Sequence, residues 1–130
     1  MPRPDDAWLR DMIDAAREAR DMTAGLSRED LDRDRKLALA LRTLFAVIGE
    51  AAKHVPDAVR ARAPLPWGDI AGARDVLVHR YFAVNLDILW ETVQNDLPPL
   101  IAALDPLVAE LGPTTPPQAL APPETPKAQA

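Results

Sequence analysis

The chain has 130 residues, 48% of them hydrophobic and 5% aromatic, with a net charge of −5 and no cysteine. This length fits one domain, and the lack of cysteine excludes a disulfide framework and a thiolate metal site. The acidic balance argues against a general nucleic-acid coat protein, and without a signal peptide or an apolar run of roughly 18 residues we expect a cytoplasmic protein with no membrane contact.

The charges are unevenly distributed along the chain. Residues 53–80 carry a net charge of +2, whereas residues 1–52 carry −2 and residues 81–130 carry −5. A positive section within an acidic protein is typical of a local phosphate site.

The spacing of apolar residues predicts two long helices in the first half of the chain. The first runs from about Asp6 to Thr23, and Gly25 ends it. Ser27 followed by Asp30 indicates an N-cap with an acidic residue three positions on, and therefore a short turn before the next helix. The second long helix covers about residues 33–55, and Pro56 stops it.

The second half predicts two or three more helices and then a change of composition. A third helix spans about residues 66–78, and Asn85 caps a fourth, which Pro98-Pro99 kinks or breaks before a helical pattern continues to about Leu111. Six of the residues from Gly112 onward are proline. We therefore expect an all-α fold, an antiparallel four- to five-helix bundle over residues 1–111, with a disordered Pro/Ala-rich tail over residues 112–130.

The candidate chemistry lies in the positive section. Arg74, His79 and Tyr81 are spaced as Arg-x4-His-x-Tyr in a chain with two histidines and one tyrosine. A guanidinium suits paired phosphate oxygens, and an imidazole can exchange a proton near neutral pH. These groups can support phosphodiester chemistry without a metal ion or other cofactor.

Arg74 and His79 do not share a helix face, because five residues correspond to about 140° around a helix. They converge if the helix ends near His79 or if a second subunit completes the pocket. We favour a pocket at a two-fold axis, where each motif is present twice.

Structural interpretations of the same residues remain open. Arg74 can form a surface ion pair, and His79 can cap a helix C-terminus. Asp75 can pair with His79 four residues later, either for stability or to orient the imidazole. Tyr81 can be a packing residue with its hydroxyl at the surface.

Four other residues have structural explanations. His54 stands at a helix end, and Glu50 suits an ion pair, for example to Arg42 or Arg74. With no carboxylate at ligand spacing, the histidines do not predict a zinc site. Trp67 and Trp90 are expected to be core anchors.

The stretch from Trp67 to Leu100 resembles the HepT-like ribonuclease toxins of the HEPN superfamily. The resemblance rests on Arg74-x4-His79-x-Tyr81, on the upstream Trp67-x-x-Ile70, and on the downstream sequence Trp-Glu-Thr-Val-x-x-Asp-Leu-Pro over residues 90–98. It extends over roughly residues 6–111.

The resemblance implies a helical homodimer with metal-independent endoribonuclease activity. Arg74 and His79 match the nuclease pair, and Tyr81 matches the tyrosine to which an MntA-like nucleotidyltransferase antitoxin transfers AMP. Asp75 and Arg80 are supporting residues. Many relatives have Asn where this chain has Asp75, and the carboxylate could repel substrate or hold His79 in place.

Two rival functions fit the same features. The protein could be a non-catalytic helical partner that a nucleotidyltransferase modifies, or an accessory helical subunit that binds nucleotide. Cleavage of RNA by the unmodified protein without metal would distinguish a ribonuclease toxin from a non-catalytic partner. A neighbouring nucleotidyltransferase gene would favour either of these two functions over the nucleotide-binding accessory subunit.

Overall fold

The computed structural model describes residues 4–72 and 85–110, and every regular element within them is helical. The elements are α1 (Asp5–Thr23), α2 (Arg28–Arg33), α3 (Arg35–Lys53), α4 (Asp57–Arg60), α5 (residues 67–72), α6 (Leu86–Glu91), a π-helical turn (Thr92–Asp96) and α7 (Leu97–Glu110). The all-α prediction is therefore confirmed. The predicted tail, residues 112–130, lies outside the described residues.

Local signals set the helix boundaries, in most cases near the predicted positions. Residues 28–33 form a helix where a turn was expected, the second long helix begins at Arg35 rather than at about residue 33, and α4 was not predicted. Gly25 after α1 has φ of 79°, a left-handed conformation that glycine adopts without a Cβ clash. At the start of α2 the Asp30 carboxylate accepts a hydrogen bond from the Ser27 backbone N–H at 2.7 Å. Asp34 caps α3 by accepting from Leu37 N–H at 3.1 Å, and α3 ends three residues before Pro56.

The core lies between the three long helices. Helix α1 packs most extensively against α3 and next against α7. Fully buried side chains include Leu9, Met12, Leu41 and Leu104, and small residues such as Ala16 and Ala52 allow close approach of the helices. Burial of these apolar stripes is the main source of the stability of the bundle.

The sequence predicted a kink or a break at Pro98-Pro99, and of these the break is wrong. Helical residues run without interruption from Leu86 to Glu110, and the irregularity lies before the prolines, in the π-helical turn Thr92–Asp96. Prolines donate no backbone hydrogen bond, so the carbonyls four residues before them lose their usual partners. The wider turn, in which the Leu97 N–H reaches Thr92 O five residues back, absorbs this change. Pro106 is also tolerated inside α7.

No helix within residues 4–72 and 85–110 is long and apolar enough to cross a membrane.

Candidate functional site

The five predicted site residues, Arg74, Asp75, His79, Arg80 and Tyr81, lie outside the described residues. Their positions, their approach to one another and the two-fold pocket therefore stay predictions. The structure does describe the chain on both sides of this stretch, from the loop before α5 to the first turn of α6. These two flanks determine where the motif enters and leaves the bundle.

Trp67 anchors the N-terminal flank. Its side chain is buried, and its indole N–H lies 3.1 Å from both the Arg60 and the Ala63 carbonyl oxygens. The Trp67 backbone N–H also donates to Leu65 O at 2.8 Å. The expectation that Trp67 is a core anchor is confirmed, and the start of α5 is fixed seven residues before Arg74.

The C-terminal flank is held by a cap and an ion pair. The Asn85 side chain accepts from Ile88 N–H at 3.1 Å, as the sequence predicted. Arg28 on α2 bridges Asp87 in the first turn of α6 and Asp32 on its own helix, at 2.8 and 2.9 Å. Hydrogen bonds to these two carboxylates raise the pKa of Arg28 above its usual value. Leu89, two residues after Asp87, is fully buried.

A cavity of about 490 Å³ lies between the two flanks. It is mainly apolar, with walls that include Phe45, Ile48, Leu65, Ile70, Ile88 and Leu100. The acidic groups among its described lining residues are Asp69 and Asp96. An apolar cavity with two carboxylates is unsuited to a phosphate group.

A second cluster of functional side chains forms where α3 ends. The His54 ring is stacked on Trp8 of α1, with ring centroids 4.2 Å apart and an interplanar angle of 16°. The His54 Nε2 atom is 3.2 Å from Glu50 Oε2. The sequence placed His54 correctly at the helix end, and the four-residue spacing to Glu50 could have predicted that pair. No sequence signal links Trp8 with His54, because they are 46 positions apart.

Arg60 is the other residue that sequence reasoning missed. Its Nη2 atom donates to Ala52 O at 2.7 Å, and its Cζ lies 5.7 Å from the centre of the Trp67 ring. Its Nε atom is buried without a hydrogen-bond partner. Arg62, two residues on, pairs with Glu110, whereas no ion pair joins Arg60 to a carboxylate within the described part of the chain. Arg60 is thus a cation without a carboxylate partner among the described residues, with its Nε atom buried and its Nη2 atom bonded to Ala52 O.

Comparisons with known proteins place the chain in a family. A family model described as Ribonuclease HepT-like matches residues 12–107. A protein of Thermococcus cleftensis named "Probable ribonuclease HepT" is 36% identical over 101 residues, which are 77% of this chain and 92% of that protein. A protein of Caldanaerobacter subterraneus subsp. tengcongensis named "Putative RNase TTE0752" is 37% identical over 100 residues, which are 76% of this chain and 87% of that protein.

No solved structure matches the chain significantly. The family match includes both flanks and the whole Arg-x4-His-x-Tyr stretch, so it confirms the resemblance seen in the sequence. The chain belongs to the HepT-like family of ribonucleases within the HEPN superfamily.

Proposed function

We propose that this protein is the toxin of a toxin–antitoxin pair: a cytoplasmic endoribonuclease that cleaves RNA without a metal ion and is silenced by transfer of AMP to Tyr81. The observation that carries this proposal is the family match over residues 12–107, which spans Arg74, His79 and Tyr81. Relatives named as ribonucleases share their nearly complete length with this chain.

The motif residues have complementary roles in the proposed reaction. His79 takes the proton from a ribose 2′-hydroxyl, and the freed oxygen attacks the adjacent phosphorus. The bond from phosphorus to the 5′-oxygen breaks, and that oxygen leaves with a proton, giving a 2′,3′-cyclic phosphate and a 5′-hydroxyl. Arg74 binds the phosphate and stabilises the charge that develops on it.

A homodimer places two copies of this motif at one axis. The proposal follows from the angular mismatch of Arg74 and His79 along one helix, which a second subunit resolves by supplying the missing partner. In this arrangement one His79 can act as the base and its symmetry mate as the acid. Sedimentation of the purified protein at micromolar concentration tests the assembly, and a monomer contradicts it.

Control by AMP follows from the position of the tyrosine. The Tyr81 oxygen attacks the α-phosphorus of ATP on the nucleotidyltransferase partner, pyrophosphate leaves, and the phenol proton goes to solvent. Arg74 and Arg80 are near in sequence to hold the incoming phosphate. The product carries negative charge and bulk beside the site where RNA must enter, which blocks the nuclease.

The anchored flanks support the proposal. Trp67 fixes the chain before the motif, and the Asn85 cap with the Arg28–Asp87 bridge fixes it after the motif. A nuclease without a metal ion depends on accurate placement of its acid–base and phosphate-binding groups. Flanks held by buried and hydrogen-bonded residues meet that need.

The test is an RNA-cleavage assay in excess EDTA with unmodified protein. We expect cleavage with cyclic phosphate ends, and a loss of about a hundredfold or more in rate for Arg74→Ala and for His79→Ala. Arg33→Ala, a change of an exposed arginine on α2, is the matched control and should cut at the parent rate. Loss of activity in EDTA, or full activity in both motif variants, contradicts the mechanism.

A further inference from the structure

The corner where α3 ends and α4 follows presents a flat ring to solvent. His54 is the C-cap of α3, and its side chain is 47% exposed. One face of its ring lies on Trp8, and its Nε2 edge is directed at Glu50. Neither of these contacts uses the opposite face of the ring. Trp8 supports the ring from behind, and Glu50 fixes its rotation.

The same corner carries a cation. The hydrogen bond from Arg60 to Ala52 O places the guanidinium two residues from His54 along the end of α3. The bond also covers one of the carbonyls that make a helix C-terminus negative. The guanidinium carbon lies 5.7 Å from the centre of the Trp67 ring, within the range of a cation–π contact. Within the described chain Arg60 has no carboxylate partner, so this cation is not neutralised locally.

We propose that this corner is a subsite for single-stranded RNA, in which a base stacks on the open face of His54 and a neighbouring phosphate binds Arg60. The inference rests on the proposed ribonuclease function and adds a place where the substrate is held outside the cleavage motif. Stacking on aromatic rings is the common way to hold unpaired bases, and it tolerates any sequence. Because Arg60 Nε is buried and Nη2 already donates to Ala52 O, the phosphate binds at the Nη1 end of the guanidinium, through charge-assisted hydrogen bonds.

The distribution of charge favours RNA binding at this corner. The chain is acidic as a whole, and the cavity between the motif flanks carries carboxylates. His54 and Arg60 belong to residues 53–80, the section of the sequence with a net positive charge, and the Glu50 carboxylate that contacts His54 belongs to the section before it. Residues 74–81 of the motif belong to the same section of the sequence, so both proposed RNA contacts come from the part of the chain that least repels a polyanion.

Binding of a fluorescent single-stranded RNA, measured by anisotropy, tests the stacking half of the proposal. The His79→Ala background prevents cleavage during the measurement. His54→Ala should weaken binding by about fivefold or more, the effect of losing one stacked base. His54→Phe retains a flat ring and should bind within about twofold of the parent. A matched probe with abasic sugars should show no difference between His54 and His54→Ala.

The dependence of affinity on salt tests the phosphate half. Loss of one phosphate contact should reduce the slope of log K against log salt by about 0.7 for a single strand. We expect this change for Arg60→Gln, whereas Arg60→Lys, which keeps the charge, should retain the slope. Arg33→Gln removes the same charge from an exposed site on α2 and should leave the slope unchanged.

The outcomes separate this inference from the proposed function. If the parent cuts RNA but His54→Ala binds it as tightly as the parent, the subsite is wrong and the nuclease stands. If the parent does not cut RNA, yet His54→Ala and Arg60→Gln lose binding as described, the subsite stands and the nuclease is wrong. Because His54 is exposed, His54→Ala should fold, and its result decides the matter even if Arg60→Gln unfolds.

Discussion

Arg28 on α2 and Asp87 on α6 are bridged across 59 residues of sequence, with Arg28 Nε 2.8 Å from Asp87 Oδ1. Asp87 is the second residue of the helix that follows the motif stretch. The bridge therefore connects the start of α6, which directly follows the motif stretch, to α2 in the N-terminal part of the chain. It is a positional constraint rather than a large source of stability, because Asp87 is 79% exposed.

Arg28→Ala should loosen this exit locally. We expect faster amide hydrogen exchange in α6, Leu86–Glu91, with a melting temperature close to that of the parent, because only a partly exposed bridge is lost. The control is Arg17→Ala, which removes the Arg17–Asp105 bridge between α1 and α7 and should leave exchange in α6 unchanged. Equal exchange in α6 for Arg28→Ala and parent would show that the bridge has no anchoring role.

Trp67→Phe should destabilise the entrance to the motif. The phenyl ring fills most of the volume, but the indole N–H that donates to Arg60 O and Ala63 O is lost. Each carbonyl keeps a backbone donor, the Ala63 N–H for Arg60 O and the Leu65 N–H for Ala63 O, so the loss of the indole hydrogen bond should cost about 1 kcal/mol of unfolding free energy, measured by urea denaturation. An unchanged free energy of unfolding would mean that water replaces the indole at no cost.

Leu104→Ala should be among the more damaging single changes in the bundle. Leu104 is fully buried on α7, so its truncation removes apolar contacts and leaves a cavity. We expect a loss of about 2–5 kcal/mol in unfolding free energy. Leu39→Ala is the matched control: Leu39 is 38% exposed on α3, and its truncation should cost well under about 1 kcal/mol. Similar losses for the two variants would contradict the assigned core.

Asp30 makes stability depend on pH. The hydrogen bond from the Ser27 backbone N–H, more than any other contact, lowers the pKa of Asp30, with smaller help from the Ser27 hydroxyl and Arg33. A lowered pKa in the folded state stabilises the protein above the usual Asp pKa, and this contribution is lost as pH falls through the folded value.

Asp30→Asn should therefore lower the melting temperature at neutral pH, and its difference from the parent should shrink as pH falls below the ordinary Asp range. Thermal unfolding followed by circular dichroism over that pH range measures this difference. Ser27→Ala keeps the backbone donor, which is the largest cause of the shift, and should retain most of the pH dependence of the parent. A constant difference between Asp30→Asn and parent at all pH values rules out the titration of Asp30 as its source.

Tyr81 should be the acceptor of AMP. It is the only tyrosine in the chain, so intact-mass analysis after incubation with ATP, magnesium and the cognate nucleotidyltransferase has no competing phenol. Tyr81→Phe keeps the ring, lacks the acceptor oxygen, and should stay unmodified. If the hydroxyl has no catalytic role, this variant should also remain toxic beside its partner. AMP incorporation into Tyr81→Phe at the parent level would place the acceptor on another side chain.

Local sequence signals determined the helices of this protein. The apolar stripes of α1 and α3 follow the helical period, and Asp34, Asn85 and Pro56 act on backbone groups within a few residues of themselves. Such interactions depend on near neighbours, so most boundaries were predicted to within a few residues, although the Asp34 cap that separates α2 from α3 was not predicted. The Arg74-x4-His79-x-Tyr81 motif is also a short, local pattern, so the sequence alone could predict its phosphate-binding and proton-transfer groups and its family resemblance.

The prolines of the last helix show where local reasoning failed. Pro98 and Pro99 predict a break, since they donate no hydrogen bonds. Burial of Leu97 and Leu100 against the core favours a continuous helix, and the π-helical turn before the prolines accommodates both demands. Whether the free energy gained by burying apolar surface exceeds the cost of a few lost hydrogen bonds depends on how this helix packs in the bundle.

Only the tertiary structure decided the arrangement of the charged and aromatic groups at the end of α3 and at the start of α6. The stack of His54 on Trp8 and the bridge from Arg28 to Asp87 join residues 46 and 59 positions apart. The contact of Arg60 with Ala52 O depends on the chain turning back after α3. These pairs leave no periodic trace in the sequence, because their closeness results from how whole helices pack and not from the residues beside them.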